Sequence, residues 1–430
     1  MTDRVICVGM LGCGTVGSAV ARTLAAHGDD VARRAGVRIE ITRVAVRDVA
    51  RRRDVPLATE IFTADAISIV DDPDIDVVVE LLGGLDPARL LVERALGAGK
   101  PVVTGNKELI AAAGAELEAA AHTGRADLAY EAAVAGGIPL IRPLRESLVG
   151  DRVTRILGVV NGTTNYILTQ MSEHGLGFAE ALADAQRLGY AEADPTADVE
   201  GFDAAAKCAI LASIAFDTRV TDADVYREGI AHVTAQDIAD AARLGYVVKL
   251  LAIAELDDGD VSVRVHPAMV PAEHPLASVR DAYNAVFIEA DKAGRLMFYG
   301  RGAGGEPSGT SVIGDLVRVA RHLMYGGRMQ GAARTSVGRR IRPMDDTHGQ
   351  YYLNLHVADR PGVLAEIAEV FGRNGVSIER VWQEGFGEQA ALVFITHRAQ
   401  EGPFQKTVQE LRERDAVRAV VSLLRVEGEE

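Results

Sequence analysis

The chain has 430 residues, of which 48% are hydrophobic and 25% charged, and its 46 Lys and Arg against 61 Asp and Glu give a net charge of −15. This length predicts about three domains, and the composition excludes a disordered or fibrous protein. The acidic balance disfavours nucleic acid as a partner, and no apolar stretch is long enough to cross a bilayer. The three cysteines, Cys7, Cys13 and Cys208, are too few for a disulfide framework, which favours a reducing cytoplasm.

The first third of the chain alternates short apolar runs with Ala-rich segments, which is typical of a parallel sheet covered by helices. We therefore predict a doubly wound α/β domain over residues 1–135. The predicted strands are Val5–Gly9, Ile39–Val46, Ile75–Leu81 and Val102–Thr104. The predicted helices are Thr15–Ala26, Ala88–Gly97 and Glu108–Ala121.

The middle of the chain, residues 136–309, has an α+β texture. The predicted strands are Arg155–Val160, Tyr246–Leu256, Val261–Val265, Ala285–Ala290 and Gly294–Tyr299. The predicted helices are Tyr166–Glu173, Phe178–Leu188, Gly201–Phe216 and Ala235–Leu244. A glycine-rich loop then leads into an apolar helix at 310–325, which we expect to pack back on the first domain.

Residues 326–349 have the composition of a linker, rich in Gly, Arg and Asp. A third unit over 350–430 follows, in which strands and helices alternate in β-α-β-β-α-β order. This order predicts a ferredoxin-like domain. The elements are Tyr352–Val357, Gly362–Asn374, Ile378–Gln383, Ala390–His397, Pro403–Arg412 and Val417–Arg425.

A glycine-rich motif follows the first predicted strand and opens the first predicted helix. It has the G-x-G-x-x-G spacing, and its candidate cofactor contacts are Gly12, Gly14, Thr15, Val16 and Gly17. In such a motif the first glycine permits a tight turn, the second lets the backbone approach a pyrophosphate, and the third packs helix on strand. Because the helix N-terminus supplies N–H donors, the motif predicts dinucleotide binding. A glycine-rich turn without a ligand is the alternative.

The end of the second predicted strand bears on the choice of cofactor. Val46 is followed by Arg47 and only then by Asp48, whereas an NAD-selective protein usually presents an acidic residue there. An arginine suits a 2′-phosphate, and the residues at 51–53 add positive charge, although such a run is often only a solvated helix start. The sequence therefore favours NADP through Arg47, with NAD as the alternative.

Two groups of polar residues are candidates for chemistry. Thr104 and Lys107 follow an apolar strand, at the edge where ligands bind in open α/β sheets. Asp203 and Lys207 are four residues apart on a predicted helix and share one face. A weak surface salt bridge is the alternative, but the helix has so little polar surface that a cleft is favoured. Nearby acids would suit an ammonium-bearing substrate and a tuned proton donor.

Other polar segments give weaker signals. Asn161 to Asn165 follows a strand and could orient a small polar ligand, although its composition alone indicates only a turn and helix cap. Cys208 does not share a helix face with Lys207, so we expect it to be buried and inert. The ten histidines show no metal-binding spacing, so no catalytic transition metal is predicted.

Taken together, these segments resemble homoserine dehydrogenase over essentially the whole chain. The glycine motif, the Gly105–Leu109 segment, the Asn161–Tyr166 segment and the Leu188–Pro195 segment with its Asp203 and Lys207 carry the resemblance. The third unit resembles an ACT domain, whose turn before the first helix is matched by Asp359–Leu364. No kinase segment precedes the glycine motif, so we expect the monofunctional form.

The resemblance implies NAD(P)H-dependent, reversible reduction of L-aspartate 4-semialdehyde to L-homoserine, in threonine, methionine and isoleucine biosynthesis. It implies that Lys207 gives and takes the proton, that Lys107 stabilises the reacting oxygen, and that Asp203 holds Lys207. Such chemistry requires a cation and a proton at the oxygen that gains charge. The implied substrate contacts are Glu192 for the ammonium, together with Tyr190, Asp198, Gly162 and Thr163. Gly302 would lie near the nicotinamide.

The resemblance also implies ligands that composition cannot reveal. A sodium-like cation would be held by backbone carbonyls of Glu131, Val134, Gly136 and Ile138. Residues 136–309 would bind substrate, carry out catalysis and form a dimer interface, and we expect a homodimer or homotetramer. The ACT-like unit implies feedback control by threonine, and deletion after about Gly349 would abolish that inhibition while sparing catalysis.

Two rival functions differ in what they require. Aspartate-semialdehyde dehydrogenase needs a cysteine thiolate to form a thioester, and none of the three cysteines lies in a plausible electropositive loop. A non-catalytic amino-acid sensor would keep the effector unit with a vestigial nucleotide domain. The intact set of Lys107, Glu192, Asp203 and Lys207 argues against a sensor.

Overall fold

The computed structural model describes residues 5–326, 337–385 and 390–428. The part of the predicted linker at 327–336 lies outside the described residues. The helices in chain order are α1 Thr15–Ala35, α2 Ala66–Asp71, α3 Ala88–Gly97, α4 Lys107–Gly124, α5 Gly162–His174, α6 Phe178–Arg187, α7 Thr196–Val199, α8 Phe202–Ala215, α9 Ala235–Arg243, α10 Gly305–Tyr325, α11 Val363–Arg373 and α12 Glu401–Arg412. Within the described ranges, no helix is long and apolar enough to cross a membrane.

The strands are β1 Val5–Leu11, β2 Arg38–Ala45, β3 Phe62–Thr63, β4 Val77–Glu80, β5 Val102–Thr104, β6 Leu128–Ala129, β7 Val153–Val159, β8 Tyr226–Arg227, β9 Tyr246–Asp257, β10 Asp260–Pro271, β11 Tyr283–Ala290, β12 Gly294–Arg301, β13 His348–Val357, β14 Ile378–Glu384, β15 Ala391–Thr396, β16 Ala399–Gln400 and β17 Val417–Val426. The chain divides into two compact units. One contains residues 5–156, 206–225, 283–326 and 337–339, and the other contains 157–205, 226–282, 340–385 and 390–428.

The first unit contains a parallel sheet with strand order β3-β2-β1-β4-β5-β6. This order is that of a doubly wound, Rossmann-like sheet, so the predicted fold class is confirmed. Strands β3 and β6 have two residues each, too short to give a periodic signal in the sequence. Ligands in such sheets bind at the carboxyl ends of the strands, where the order reverses between β1 and β4.

Helix α10 is distant in sequence from this sheet but shares its core. Val312, Leu316 and Val319 are fully buried in the same apolar cluster as Ile6 and Val8 of β1. The helix begins at Gly305, five residues before the predicted start, because Gly304 adopts φ 119 and turns the chain into the helix. A Cβ on Gly305 would lie 2.9 Å from the Thr15 carbonyl oxygen, so the first turn of α10 lies beside the start of α1.

The second unit contains the ferredoxin-like elements. Its sheet order β17-β13-β15-β14 is antiparallel throughout, and α11 and α12 pack with it in the order that the sequence predicts. The core includes the stacked rings of Tyr351 and Phe404, 3.8 Å apart. The C-terminal α+β arrangement is therefore that of an ACT domain, as expected.

This ferredoxin-like sheet extends into the hairpin formed by β9 and β10. Ala268 and Met269 of β10 pair in parallel with Arg425 and Val426 of β17. The sequence predicts that β10 ends at Val265, but the strand runs to Pro271, because its last residues are paired on both edges by β9 and β17. Tertiary pairing thus overrides the local propensity that set the predicted boundary.

Candidate active site

The glycine loop between β1 and α1 has the geometry of a dinucleotide cradle. Gly12 adopts φ 99, and a Cβ there would lie 2.6 Å from the Leu81 carbonyl oxygen. A Cβ on Gly17 would lie 2.5 Å from the Gly12 carbonyl oxygen, which shows how closely helix and strand pack. At Gly14, apart from its neighbours in the chain, no atom of the described residues lies within 4 Å of the Cβ position, so the space beside this backbone is open. These observations fit the three separate roles expected of the glycines.

Arg47 lies just beyond the carboxyl end of β2, and its side chain is exposed. The neighbouring Asp48 carboxylate accepts hydrogen bonds from the backbone N–H groups of Ala50 and Arg51, at 2.9 and 3.1 Å. Arg53 donates to the Asp48 carbonyl oxygen at 2.9 Å and lies over the Phe62 ring, so it folds back on its own loop. The Asp48 carboxylate is therefore hydrogen-bonded within its own turn, whereas the Arg47 side chain is exposed to solvent.

A buried network that the sequence did not reveal joins the ends of β4 and β5. Glu80 is fully buried, and its carboxylate accepts from the Thr104 hydroxyl at 2.6 Å and from the Leu82 N–H at 2.7 Å. Asn106 caps α4 through the Leu109 N–H at 3.2 Å. The Thr104 side chain is thus engaged within the protein and fully buried. A glutamate in an apolar strand is the only signal that could have pointed to this network.

Lys107 is the first residue of α4 and is partly buried. It follows Asn106, whose side-chain amide donates to the Gly84 carbonyl at 2.7 Å. The capping bond and this contact fix where α4 begins, and hence the position of Lys107 in its first turn. The lysine therefore lies at the ligand-binding edge of the sheet, as the sequence indicates.

The loop from Glu131 to Ile138 is buried and tightly turned. Ala135 and Gly136 have positive φ values of 53 and 33, and Val134 is fully buried. The Glu131 carboxylate accepts hydrogen bonds from the backbone N–H groups of residues 140–142 at 2.5–2.9 Å, so its side chain faces inward. The Gly136 carbonyl accepts from the Ser311 hydroxyl at 2.6 Å.

Asp315 of α10 completes this buried cluster. Its carboxylate accepts from the Glu131 N–H at 2.8 Å and lies 3.9 Å from Arg142 Nε. Burial raises the pKa of Asp315 to about 7, and the nearby Glu131 carboxylate adds to the shift. A buried carboxyl group therefore titrates near neutrality beneath the loop.

Gly302, in the loop after β12, has no room for a side chain. A Cβ there would lie 1.9 Å from the Asn284 side-chain amide. Its carbonyl oxygen lies 2.7 Å from the position that a Cβ on Gly136 would take. The return loop and the 131–138 loop are therefore in close backbone contact.

In the second unit, Asn161 is the centre of the polar network. Its side-chain oxygen accepts from the Thr164 N–H at 2.8 Å and so caps α5. Its side-chain amide donates to Asp198 at 2.6 Å and to Asp203 at 2.9 Å. The capping asparagine thus brings together two carboxylates from separate segments, which sequence spacing could not show.

The residues around Tyr190 form the adjoining part of this network. The Thr163 hydroxyl donates to the Tyr190 carbonyl at 2.7 Å, and the Tyr190 ring lies 4.9 Å from the Tyr166 ring. Gly162 lies against the Ala282 carbonyl, 2.9 Å from where a Cβ would be. The structure therefore brings Thr163 and Tyr190 together beside Asn161. Glu192 is exposed, and it is its backbone carbonyl that accepts from Gln186, at 3.1 Å.

Helix α8 carries Asp203 and Lys207, four residues apart on one face. Both side chains are buried, with exposed fractions of 8% and 7%. An exposed surface salt bridge does not describe this pair. Burying a lysine is costly unless it is paired. The burial of Lys207 beside Asp203 therefore indicates a functional role for this face of α8 rather than a solvent-exposed one.

The cysteines do not provide a nucleophile. Cys13 and Cys208 are buried, and burial raises the pKa of the Cys7 thiol, which disfavours the thiolate. Among the described residues, no group of three or more His, Cys, Asp or Glu side chains could hold a metal ion. The site therefore consists of lysines, carboxylates, amides and backbone donors.

Comparison with known proteins agrees with this arrangement. The model of the homoserine dehydrogenase NAD-binding domain matches residues 12–131, the homoserine dehydrogenase model matches 139–317, and the ACT domain model matches 351–416. The homoserine dehydrogenase of Corynebacterium glutamicum is 48% identical over 425 residues, 98% of this chain and 95% of that protein.

Solved structures extend the comparison. A homoserine dehydrogenase from Thiobacillus denitrificans superposes with a TM-score of 0.93 at 41% identity, covering 99% of this chain and 98% of that one. A hyperthermophilic archaeal homoserine dehydrogenase in complex with NADPH has a TM-score of 0.63 at 28% identity, covering 74% of this chain and 98% of that one. The chain belongs to the homoserine dehydrogenase family, whose members are NAD(P)-dependent oxidoreductases acting on a CH–OH group.

Proposed function

We propose that Lys207, Lys107 and Asp203 carry the reversible reduction of L-aspartate 4-semialdehyde to L-homoserine in this protein. A bound nicotinamide cofactor supplies the hydride that reduces the aldehyde carbon. As the carbonyl oxygen gains negative charge, the Lys107 ammonium stabilises it and the Lys207 ammonium donates a proton to it. In the reverse direction Lys207 accepts the proton from the homoserine hydroxyl.

The carboxylates around Asn161 orient the proton donor and the substrate in this proposal. Asp203 holds Lys207 in one orientation, and Asn161 fixes Asp203 and Asp198 relative to each other. Tyr190, Thr163 and Gly162 lie at the same end of α5 and orient the substrate. The exposed Glu192 carboxylate is available for the substrate ammonium.

The observation that carries these roles is the burial of Asp203 and Lys207 on one face of α8. Lys207→Ala should retain NADPH affinity, measured by fluorescence titration, and lose most of its turnover with aspartate semialdehyde. Lys292→Ala, which removes an exposed lysine, is the matched control. A near-normal kcat for Lys207→Ala would overturn the assignment.

We propose NADP as the preferred cofactor, with Arg47 binding its 2′-phosphate. Gly12, Gly14, Thr15, Val16 and Gly17 cradle the pyrophosphate, while Thr104 and Gly302 lie on the nicotinamide side. The exposure of Arg47 and the internal hydrogen bonds of Asp48 support this preference, as does the NADPH in the archaeal relative.

The test of NADP preference is Arg47→Ser. This variant should raise the KM for NADPH at least tenfold and leave the KM for NADH nearly unchanged. Arg38→Ser, at the opposite end of β2, is the control because Arg38 is exposed and pairs with Asp29 at 3.2 Å. Equal effects of Arg47→Ser on both cofactors would contradict the proposal.

We further propose that the carbonyls of Glu131, Val134, Gly136 and Ile138 bind a monovalent cation such as Na⁺. The burial of this loop and its consecutive left-handed residues support the proposal, because oxygen ligands must converge to replace water. Activity should rise with added NaCl and not with tetramethylammonium chloride at equal ionic strength. Identical curves for the two salts would contradict it.

Regulation, assembly and location are also proposals. The ACT domain supports an amino-acid effector, and we propose L-threonine, tested by its inhibition of homoserine oxidation. We propose a homodimer or homotetramer, which sedimentation equilibrium would distinguish from a monomer. The free cysteines Cys7, Cys13 and Cys208 favour a cytoplasmic location.

A further inference from the structure

A buried lysine that the sequence did not single out lies on β9. Lys249 is 2% exposed, and its side chain donates to the Asn165 side-chain oxygen at 2.9 Å and to the Val279 carbonyl. Within the described ranges it forms no ion pair, so both of its acceptors are neutral. Neutral acceptors offset little of the cost of burying a charge, whereas a methionine would fill similar space without that cost. Stability alone therefore gives little reason for a lysine at this position.

The segment of residues 279–282 leads into β11 and is also bound by α5. The Asn165 side-chain amide donates to the Val279 carbonyl at 3.3 Å and to the Asp281 carbonyl at 2.8 Å. The Thr169 hydroxyl accepts from the Asp281 N–H at 3.2 Å and donates to the Asn165 carbonyl at 2.7 Å. Asn165 and Thr169 are one turn apart on α5, so they share one face of the helix. The 279–282 segment is therefore held between this face and the lysine of β9.

The backbone of this segment turns sharply at Asp281. Its φ of 52 lies in the left-handed region, which residues other than glycine rarely adopt. Such a conformation persists only where the surrounding structure holds it. Side chains of α5 engage both the N–H and the carbonyl of Asp281, and Lys249 holds the residue two positions earlier. Loss of the lysine contact would therefore release one end of a strained turn.

The other end of the segment lies against the first turn of α5. The Ala282 carbonyl oxygen is 2.9 Å from the position that a Cβ on Gly162 would take, and the Ala282 Cα is 3.5 Å from it. Packing this close is not continuously deformable, so a shift of Ala282 displaces Gly162. Gly162 follows Asn161, whose amide holds Asp198 and Asp203 at 2.6 and 2.9 Å. A series of direct contacts thus connects β9 with the two carboxylates.

We propose that Lys249 is a positioning residue for the homoserine dehydrogenase reaction. It acts through residues 279–282 and Gly162, and it sets the orientation of Asp203, which holds Lys207 in the proposed mechanism. A displacement of about 1 Å in a reacting group can slow a reaction about 100-fold, so small changes in this orientation are costly. The inference rests on the roles proposed above for Asp203 and Lys207.

The positioning role does not depend on the charge of Lys249. Burial lowers the pKa of Lys249 to about 8. A neutral amine still has two N–H donors for the two acceptors, so the contact with the 279–282 segment persists on both sides of this pKa. The reaction requires hydrogen-bond donors at this position, and a methionine has none.

Lys249→Met tests the role by separating kcat from cofactor affinity. Below its melting temperature the variant should reduce aspartate semialdehyde with a kcat roughly 10- to 100-fold lower than wild type. Its NADPH affinity, measured by fluorescence titration, should not change, because the glycine loop lies in a different part of the chain. A wild-type kcat for Lys249→Met would overturn the proposal.

Ile253→Ala is the matched control for loss of stability. Ile253 is fully buried on the same face of β9, four residues further along and about 13 Å away. Its truncation should lower the melting temperature but leaves the hydrogen bonds of the 279–282 segment in place, so kcat should stay near the wild-type value. An equal loss of kcat in Ile253→Ala and Lys249→Met would show that general destabilisation explains both, and would overturn the positioning role.

Thr169→Val tests the same path from the other side of the segment. It removes the acceptor of the Asp281 N–H at similar volume, so it should also lower kcat and keep NADPH affinity. Because both side chains act through one segment, the double variant with Lys249→Met should be little slower than the slower single variant. Losses that multiply in the double variant would overturn the shared path. If Lys249→Met does not fold, Thr169→Val decides alone, and a wild-type kcat would overturn the proposal.

Lys207→Ala, measured alongside, separates this inference from the proposed chemistry. If Lys207→Ala loses its turnover while Lys249→Met and Thr169→Val keep a wild-type kcat, the positioning role is wrong and the proposed catalytic roles stand. If Lys207→Ala keeps a near-normal kcat, the roles proposed for Lys207 and Asp203 fail, and the positioning role fails with them.

Discussion

Asn161 holds Asp203 by a hydrogen bond of 2.9 Å from its side-chain amide to the carboxylate, although the two residues are 42 positions apart. The same amide reaches Asp198 at 2.6 Å, while its oxygen caps α5. One side chain therefore sets the start of a helix and the orientation of two carboxylates. This relationship makes Asn161 a positioning residue for the proposed chemistry.

Asn161→Ala should lower kcat by roughly 10- to 100-fold, the usual effect of removing a group that orients a reactive one. Affinity for NADPH should not change, because the nucleotide loop lies in a different part of the chain. Thr164→Val removes a neighbouring hydroxyl that, among the described residues, bonds only to Asn161, so it reports the cost of altering the cap itself. If Thr164→Val and Asn161→Ala slow turnover equally, helix capping rather than carboxylate orientation explains the loss.

The glycine loop allows folding and cofactor binding to be separated. Gly12→Ala places a Cβ 2.6 Å from a backbone carbonyl at φ 99, so it should lower the melting temperature markedly. Gly14→Ala places a Cβ more than 4 Å from the atoms of the described residues other than its chain neighbours, at a φ of −85, so the protein should fold normally. Its NADPH affinity should nonetheless fall at least tenfold, because the methyl group occupies the space for the pyrophosphate. Normal NADPH titration of a well-folded Gly14→Ala protein would argue against a cofactor at this loop.

The two parts of the site differ in how far the sequence could predict them. The glycine motif is local, so its spacing alone indicated the strand, turn and helix that the structure contains. The bond from Asn161 to Asp203 joins segments whose separation carries no periodic signal. The helical spacing to Lys207 indicated Asp203, but nothing in the sequence paired Asp203 with Asn161. Glu80 was missed for a related reason, because a single acid inside the predicted strand Ile75–Leu81 has no sequence spacing that connects it with Thr104, its partner 24 residues away.

The pairing of the ACT-domain strand β17 with β10 could not be predicted from the sequence, for a different reason. Local hydrophobic patterns predict the β-α-β-β-α-β order of the ACT domain, and the structure confirms this order. The parallel pairing of Ala268 with Arg425 depends on edge strands meeting, and such pairing is set by tertiary contacts. The sequence therefore predicted a separate third unit, whereas these strands share one compact unit with the Asn161 network.

Asp315 should make stability depend on pH near neutrality. Its folded pKa of about 7 exceeds the ordinary value of 3.8, so the unfolded chain loses this proton first as pH rises. The contribution of Asp315 to stability is therefore full below about pH 4, declines up to about pH 7, and is absent above. Asp315→Asn can still accept from the Glu131 N–H, and it should gain stability relative to wild type between pH 4.5 and 7.5.

Thermal melts across this pH range test the expectation. Asp151→Asn is the control, because backbone hydrogen bonds, chiefly from Ala293, lower the pKa of Asp151 and leave it ionised throughout. The difference in melting temperature between Asp151→Asn and wild type should stay flat. A flat difference for Asp315→Asn as well would show that Asp315 does not titrate in this range.

Lys249 should produce the opposite trend at higher pH. It is 2% exposed and donates to Asn165 at 2.9 Å and to the Val279 carbonyl, and burial lowers its pKa to about 8. Since the unfolded chain keeps this proton to about pH 10.5, stability should rise between pH 8 and 10 as the folded protein releases it. Lys249→Met should lack that rise in urea-denaturation midpoints, and parallel pH dependence in the two proteins would contradict the expectation.

Removal of the ACT domain should destabilise the remaining chain rather than simply release it from inhibition. Truncation after Gly349 removes β17, leaves the end of β10 paired only with β9, and deprives Arg264, which is 3% exposed, of its 3.0 Å partner Glu427. Glu427→Gln isolates the charge effect in the full chain and should cost roughly 3 kcal/mol, because a buried ion pair broken on one side leaves an uncompensated charge. Glu255→Gln removes the more distant partner, 3.4 Å away and 20% exposed, and should cost less. Urea unfolding of these variants and of the truncated chain measures the effect, and wild-type stability of the truncated chain would show that β17 does not stabilise the β9–β10 hairpin.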